Sequence, residues 1–433
     1  MVWLQLAVVL AFIFFGARLG SIGIGFAGAV GVGVLTLGFG MAPGNIPVDV
    51  ILIIMSVIGA VAAMQVAGGL DYMVRMAEKM LRSQPQYITF MAPAVTYFMT
   101  LLAGTGHTAY STLPVIAEVA RDNGVRPSRP LSISVIASQV AITASPVSAA
   151  VVVFSDFLEP LGIGYLDLLM ICIPTTFCAV MISALVCNFL GMDLDSDPVY
   201  QDRVSRGLIK QRERQKQHRL PEGAGLSVVI FLMGIVAVVI YATLISDKIG
   251  IIKNPILPRD SAIMIFMLAT ACFITLFTKL DTNQILNAQT FKSGMSASVC
   301  VLGVAWLGNT FVGGHIEEIK TLSGDFLVYY PWLLAVALFF SSMLLYSQAA
   351  TTRALMPAAL ALVEPVTAIA SFSAVSALFV LPTYPTLLAA VEMDDTGSTR
   401  IGRFILNHPF FVPGTLCISL SVIFGFIFAP LII

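Results

Sequence analysis

Charge is scarce in this chain: Asp, Glu, Lys and Arg make up only 11% of 433 residues, while 58% are hydrophobic. Soluble domains carry roughly a quarter charged residues, so the shortage excludes an ordinary water-facing surface. The formal net charge is −1, and no basic patch is interleaved with aromatics, which removes a nucleic-acid partner. The six cysteines (Cys172, Cys178, Cys187, Cys272, Cys300 and Cys417) sit inside apolar runs without C-x-x-C spacing. They read as reduced small hydrophobes, not as a redox pair or zinc ligands. Neither H-E-x-x-H nor G-x-S-x-G occurs, so an enzyme is not expected, nor a metal or a cofactor. No basic residue precedes the apolar run Met1–Phe15, and Arg18 follows it. That order suggests a retained first helix with its N-terminus outside, not a signal peptide.

What the chain has in abundance is apolar length. Mean hydropathy is +0.93, and many segments reach the roughly 20 residues that cross a bilayer. A polytopic, all-α integral membrane protein is expected. Val2–Phe15, Gly20–Phe39 and Val48–Ala67 read as spans, followed by an amphipathic stretch, Tyr72–Gln84, suited to the membrane surface. Gly23, Gly25 and Gly28 match G-x-G-x-x-G with Asp49 downstream. No strand precedes them, so they are read as close-approach glycines between helices.

Several apolar runs are interrupted in ways a simple span is not. Ile88–Ala103 is cut by Gly104-Thr105-Gly106-His107-Thr108, and a second arm ends at Arg121. Neither arm spans comfortably and basic residues lie beyond both, so residues 88–120 are expected to form a re-entrant hairpin. Non-helical backbone at that depth is tolerated only under cover of protein or a water-filled cavity. Leu131–Phe157 holds Thr143-Ala144-Ser145-Pro146-Val147-Ser148 at its centre, where proline removes a helix donor. A broken helix with Thr143, Ser145 and Ser148 at the break suits an ion or substrate; a plain proline kink satisfied by nearby hydroxyls is the alternative. Leu166–Gly191 crosses back, and Asp193–Glu222, rich in Lys and Arg, reads as a solvated linker.

The second half repeats this plan. Leu226–Ile245, Ala262–Thr278 and Met295–Phe311 are spans; Gly313–Asp325 is polar; residues 331–363 form a second hairpin; Pro365–Val391 is broken at Pro382-Thr383-Tyr384-Pro385-Thr386; Phe410–Ile433 closes the chain. Ser347, Gln348, Thr351, Thr352 and Arg353 mark the second tip. A charge that deep usually faces a cavity, partner or ligand. Arg353 is therefore either the anchor of an anionic substrate or a cation neutralised by an acid within the bundle. Its planar fork suits a carboxylate. His107, on the opposing tip, could donate to that substrate, carry a proton, or merely cap its turn. Asp394 and Asp395 read as a solvated helix-ending turn.

Five spans plus a hairpin is an odd number of crossings, so the second half is expected to insert upside down. About ten transmembrane helices and two hairpins then fall into two inverted repeats, 1–192 and 225–433, around a linker at 193–224. That topology places 18 of the 23 Lys and Arg on the cytoplasmic side, four outside, and Arg353 within the membrane, as the positive-inside rule requires. Both termini would be periplasmic.

The strings Gly104-Thr-Gly-His-Thr-Ala-Tyr-Ser-Thr-Leu-Pro114, Ile142-Thr-Ala-Ser-Pro-Val-Ser148, Leu345-Tyr-Ser-Gln-Ala-Ala-Thr-Thr-Arg-Ala-Leu-Met-Pro357 and Leu381-Pro-Thr-Tyr-Pro-Thr386, continuing to Met393-Asp-Asp-Thr-Gly397, are similar to those of a known family. From end to end the chain resembles the bacterial anaerobic C4-dicarboxylate transporters (the Dcu family). The His107/Arg353 combination resembles the fumarate–succinate exchange subtype; other members carry Asn and Lys there. The resemblance implies an inner-membrane carrier for fumarate, succinate, malate and aspartate, of elevator type and commonly dimeric. It also implies, for some members, partnership with a dicarboxylate-sensing histidine kinase. Substrate contact is expected from Thr105, Gly106, His107, Thr108, Thr143, Ser145, Ser148, Ser347, Gln348, Thr351, Thr352, Arg353, Thr383 and Thr386. A sodium- or proton-coupled symporter is the alternative.

Overall fold

Apolar side chains on nearly every face, with few breakers inside the runs, leave helix as the economical way to satisfy the backbone. A computed structural model describes residues 1–19, 22–46, 48–209, 220–245, 251–252, 255–345, 347–381, 384–403 and 406–433. Every regular element among them is helical. Among the described residues, five helical stretches are long and apolar enough to cross a bilayer, and a bent pair adds a sixth. This is a multi-pass membrane protein. One of the five, Ser128–Leu161, is a span by length only, because its backbone is extended at Ser145 and Ser148.

The bent pair joins the third span to Gly69–Ser83 through a 67° turn. Met73, Ala77 and Leu81, each four residues apart, are buried on one face of that helix. Its charged face carries Arg82, which pairs with Glu78 at 2.9 Å and Glu118 at 3.0 Å. The amphipathic stretch is thus a helix stapled to the first hairpin.

Each expected interruption is a real break. Ile88–Ala103 and Ala109–Asp122 form the first hairpin, and Ser128–Val140 and Ala149–Leu158 the first broken helix. Leu333–Leu345 and Gln348–Leu362 make the second hairpin; Pro365–Ser371, a 3-10 stretch to Phe379, and Pro385–Met393 make the second broken helix. The polar stretch Gly313–Asp325 belongs to one long helix, Gln289–Tyr329, whose backbone departs from helical geometry at His315. There His315 Nε2 lies 2.5 Å from Gln5 Oε1, tying the first helix to this one.

Packing between the halves is reciprocal. Gly23–Gly33 lies on Gln289–Tyr329, and Val48–Val66 lies on Arg259–Thr278. The distal arm of the second hairpin packs on Ala149–Leu158, and that of the first hairpin on Pro385–Met393. The last helices of the two halves, Tyr165–Cys187 and Phe411–Ile432, pack together. The glycine reading holds at Gly25: its carbonyl lies so close to Gly303 that no Cβ would fit between these helices.

Two charged segments differ from expectation. The linker is not wholly solvated: Leu194–Ser196 and Pro198–Ser205 are helical, and Asp197 between them is 1% exposed. Residues 210–219 lie outside the described ones. Asp197 accepts from the Val199 amide at 2.9 Å and pairs with Arg126 at 2.8 Å. Burial alone would raise its pKa, but the Val199 amide, Arg126 and Arg400 outweigh that and hold it below the ordinary carboxyl value. Asp394 is also buried, not solvated. Its carboxylate accepts from the amides of Thr396 and Thr399 and from the Ser398 hydroxyl, at 3.0, 2.6 and 2.8 Å. Ser398 in turn accepts from the Ser128 amide at 3.0 Å, so the turn closes onto the first broken helix. Asp395 pairs with Arg121 at 2.6 Å, joining the second broken helix to the end of the first hairpin.

A lowered folded-state value means that Asp197 contributes stability above the ordinary carboxylate range, lost as pH falls through the lowered value. Replacing it by Ala leaves Arg126 buried without its carboxylate, held only by Ser128 and the Met192 carbonyl, which costs up to about 3–5 kcal/mol. Thermal unfolding in detergent from pH 7 downward should show Asp197→Ala far below the wild type at neutral pH. The two curves should converge in acid; a constant gap would contradict the assignment.

Candidate functional site

The polar breaks meet at one residue, Gln139, near the end of Ser128–Val140 and fully buried. Gln348, first residue of the helix after the second tip, donates from Nε2 to Gln139 Oε1 at 3.0 Å and to its carbonyl at 3.3 Å. Gln139 Nε2 donates to Thr386 Oγ1 at 3.2 Å, at the second broken helix. Ser376 donates to the Gln139 carbonyl at 3.2 Å from the same element's 3-10 stretch. The first tip arrives from the other side: a Cβ on Gly106 would stand 2.9 Å from Gln139 Nε2. Two hairpins and two broken helices therefore converge on one carboxamide.

Local chemistry holds each break open. Gly104 ends the first arm with φ +68°, a left-handed conformation that glycine adopts readily. It lies against the first broken helix, where a Cβ would be 2.8 Å from the Val147 carbonyl. Ser145 donates to the Leu101 carbonyl at 2.6 Å, bonding that break to the hairpin. Ser148 donates to Ile142 at 2.6 Å and caps Ala149–Leu158 by accepting from Val151 at 3.2 Å. Tyr165 donates to the carbonyl of Pro146. Groups freed by Pro146 are thus re-satisfied by side chains, as a break inside a bundle requires.

Most expected hydroxyls serve the backbone. Thr143 donates to Val140 at 2.8 Å, Thr108 pairs with Thr100 at 2.9 Å, and the Thr105 carbonyl accepts from Thr108 at 3.2 Å. Ser347 caps its helix by accepting from Ala350, while Thr351 and Thr352 donate to carbonyls four residues back. A hydroxyl keeps acceptor capacity after donating, but a carboxylate needs donors. Gly106, Gln348 and Thr386 are the expected residues brought to Gln139. Arg353 is 3% exposed and lies in the second turn of Gln348–Leu362. The His107 side chain and Thr383 lie outside the described residues. Sequence reasoning missed Gln139 and Ser376; an amide inside an apolar, broken run was the available signal.

A family model described as an anaerobic C4-dicarboxylate membrane transporter matches residues 1–433. The chain belongs to that family. This family member is 67% identical over 430 residues to the C4-dicarboxylate transporter DcuA of Wolinella succinogenes, with 99% of each chain covered. It is 57% identical over 429 residues to the protein of that name from Escherichia coli, again over 99% of both. It is 40% identical over 441 residues to an Escherichia coli anaerobic C4-dicarboxylate transporter, DcuB, covering 99% and 98%. Among solved structures, the YdaH transporter of Alcanivorax borkumensis shares the fold, with a TM-score of 0.55 at 13% identity over 99% and 97% of the chains. The family is one of membrane transporters, not enzymes.

Two further polar features lie elsewhere in this family member. A cavity of about 450 Å³ is lined by Arg203, Glu392, Asp394, Asp395 and Arg400 among others, beyond the end of the second broken helix. Asp156, Glu159 and Asp260 converge on Arg259, which reaches Glu159 at 2.7 Å and Asp156 at 3.2 Å. The guanidinium pairs with all three acids and ties Ala149–Leu158 to Arg259–Thr278.

Proposed function

We propose that this chain exchanges C4-dicarboxylates across the bacterial inner membrane, with fumarate moving against succinate and with malate and aspartate also accepted. The observation that carries the reading is the convergence of both polar tips on the buried Gln139 amide, in a chain whose full-length relatives are named C4-dicarboxylate transporters. Its two halves, 1–192 and 225–433 with a linker at 193–224, are inverted repeats. The reciprocal packing of helices between them supports this, because a two-fold relation makes each contact occur twice. The charge bias of the loops supports periplasmic termini.

Transport is by alternating access. One bundle, holding both hairpins and both broken helices, carries the dianion while the remaining helices form a fixed scaffold, the carrier working as a homodimer. Helix N-termini at the breaks offer amide donors and positive dipole ends to a carboxylate, and Arg353 offers a fork. The remaining expected contacts, taken from their positions in the sequence, are Thr105, His107, Thr108, Thr143, Ser145, Ser148, Ser347, Thr351, Thr352, Thr383 and Thr386. Helix N-termini at the breaks cross the bilayer with no anion facing their positive dipole ends when the site is empty, whereas a bound diacid offsets them. That asymmetry is a physical route to obligatory exchange.

Counterflow in proteoliposomes tests the reading. Labelled fumarate should accumulate only when succinate is inside, and malate and aspartate should compete. Accumulation driven by a sodium or proton gradient into vesicles without internal diacid would replace exchange by symport.

A further inference from the structure

We propose that Gln139 sets the spacing between the two tips and thereby the length of diacid the transporter accepts. The inference rests on the substrate reading above. Gln139 is fully buried, and its amide is engaged within the protein. Its Oε1 accepts from Gln348, and its Nε2 donates to Thr386 at 3.2 Å and to Ser138 at 3.4 Å. Gln348 Nε2 in turn donates to both oxygens of Gln139. A carboxamide has two N–H donors, so in this geometry the pair directs its donors at protein and not at cargo. Gln139 is therefore a positioning residue.

What it positions follows from its neighbours. Gln348 begins the helix that carries Arg353 five residues on, so its bond to Gln139 fixes that helix against the first repeat. Gly106 packs against the same amide, where a Cβ would stand 2.9 Å from Nε2, so the first tip rests on it. Thr386 and Ser376 fix the second broken helix on the same group. Donor groups on the two tips are thus held at one separation. A diacid's two carboxylates are matched to that separation, and an extra methylene breaks the match. A site discriminates one methylene by about 10–200-fold at best, and only if its walls do not relax. Buried amide networks provide that rigidity when every member is satisfied.

The test is the ratio of chain lengths, not the rate. Full-length wild type, Gln139→Ala, Gln139→Asn and Gln348→Ala are reconstituted with internal succinate, and labelled fumarate exchange is competed with succinate or with glutarate, its five-carbon homologue. The wild type should favour succinate strongly. In Gln139→Ala that preference should fall by about tenfold or more, with Gln348→Ala giving a smaller fall in the same direction, because Gln139 keeps its bond to Thr386 there. Gln139→Asn, one methylene shorter, keeps the amide and reads the same ratio should the alanine variant fail to fold. An unchanged ratio in the folded variants, whatever their rate, overturns the proposal while leaving C4-dicarboxylate exchange intact. A wild type that exchanges no C4 acid removes the functional reading itself.

Discussion

Arg353→Ala is expected to abolish fumarate–succinate exchange while the protein still inserts and runs as a folded species in detergent. Arg353 is nearly fully buried, in the second turn of a helix whose first residue is Gln348. A helix N-terminus is positive, so the peptide dipole adds to the guanidinium there and does not offset it. Such a site favours an anion strongly and a neutral solute hardly at all. Truncating one partner of a buried, hydrogen-bonded charge pair costs about 2–5 kcal/mol. At that cost, a loss of roughly a hundredfold in exchange at fixed fumarate is the expected scale. Arg353→Lys keeps the charge but loses the planar fork, and should retain a reduced rate with a raised apparent KM. Initial rates across fumarate concentrations, normalised to inserted protein, decide the matter. Near-normal exchange by the alanine variant would take Arg353 out of the site.

Gly104→Ala should be nearly as damaging, for a reason that involves no charge. The residue holds φ +68°, a region that costs an L-residue about 1–2 kcal/mol. A Cβ would also stand 2.8 Å from the Val147 carbonyl, and this backbone atom belongs to the first break, which Ser145 has already tied to Leu101. Neither side can yield without moving the other, so the first tip would lift away from the break and from Gln139. Exchange should fall at least tenfold, mainly in maximum rate, with little change in how diacids compete. Gly124→Ala is the comparison: it too has positive φ, +69°, but open space around it. It should lose some thermal stability and keep its rate. Equal behaviour of the two variants would mean that backbone strain alone, not the contact with Val147, explains the loss.

The parts of the fold that were legible share one property: their cause is local. Pro146 breaks a helix because it lacks an N–H, and the structure breaks there. Tyr72–Gln84 read as a surface helix from its spacing, and Met73, Ala77 and Leu81 are buried on one face of it. Asp394 was misread for the same reason. Its neighbours made it look like a wet turn, whereas its burial depends on Ser398 reaching the Ser128 amide, 270 residues away. The linker failed at Asp197, because Arg126, which pairs with it, belongs to another part of the chain.

Gln139 shows the limit most clearly. Within Leu131–Phe157 it is one amide in an apolar run, with no periodicity or neighbouring charge to mark it. Its partners lie 209 and 247 residues onward, at Gln348 and Thr386. The chain's own order of residues determined that this protein lives in a membrane and where its apolar runs break, since hydropathy, proline and glycine act over a turn or two. Which break faces which, and on what side chain they close, was decided only when distant helices packed. A buried hydrogen bond is selected by the arrangement of the whole bundle, and no short stretch of sequence contains that arrangement.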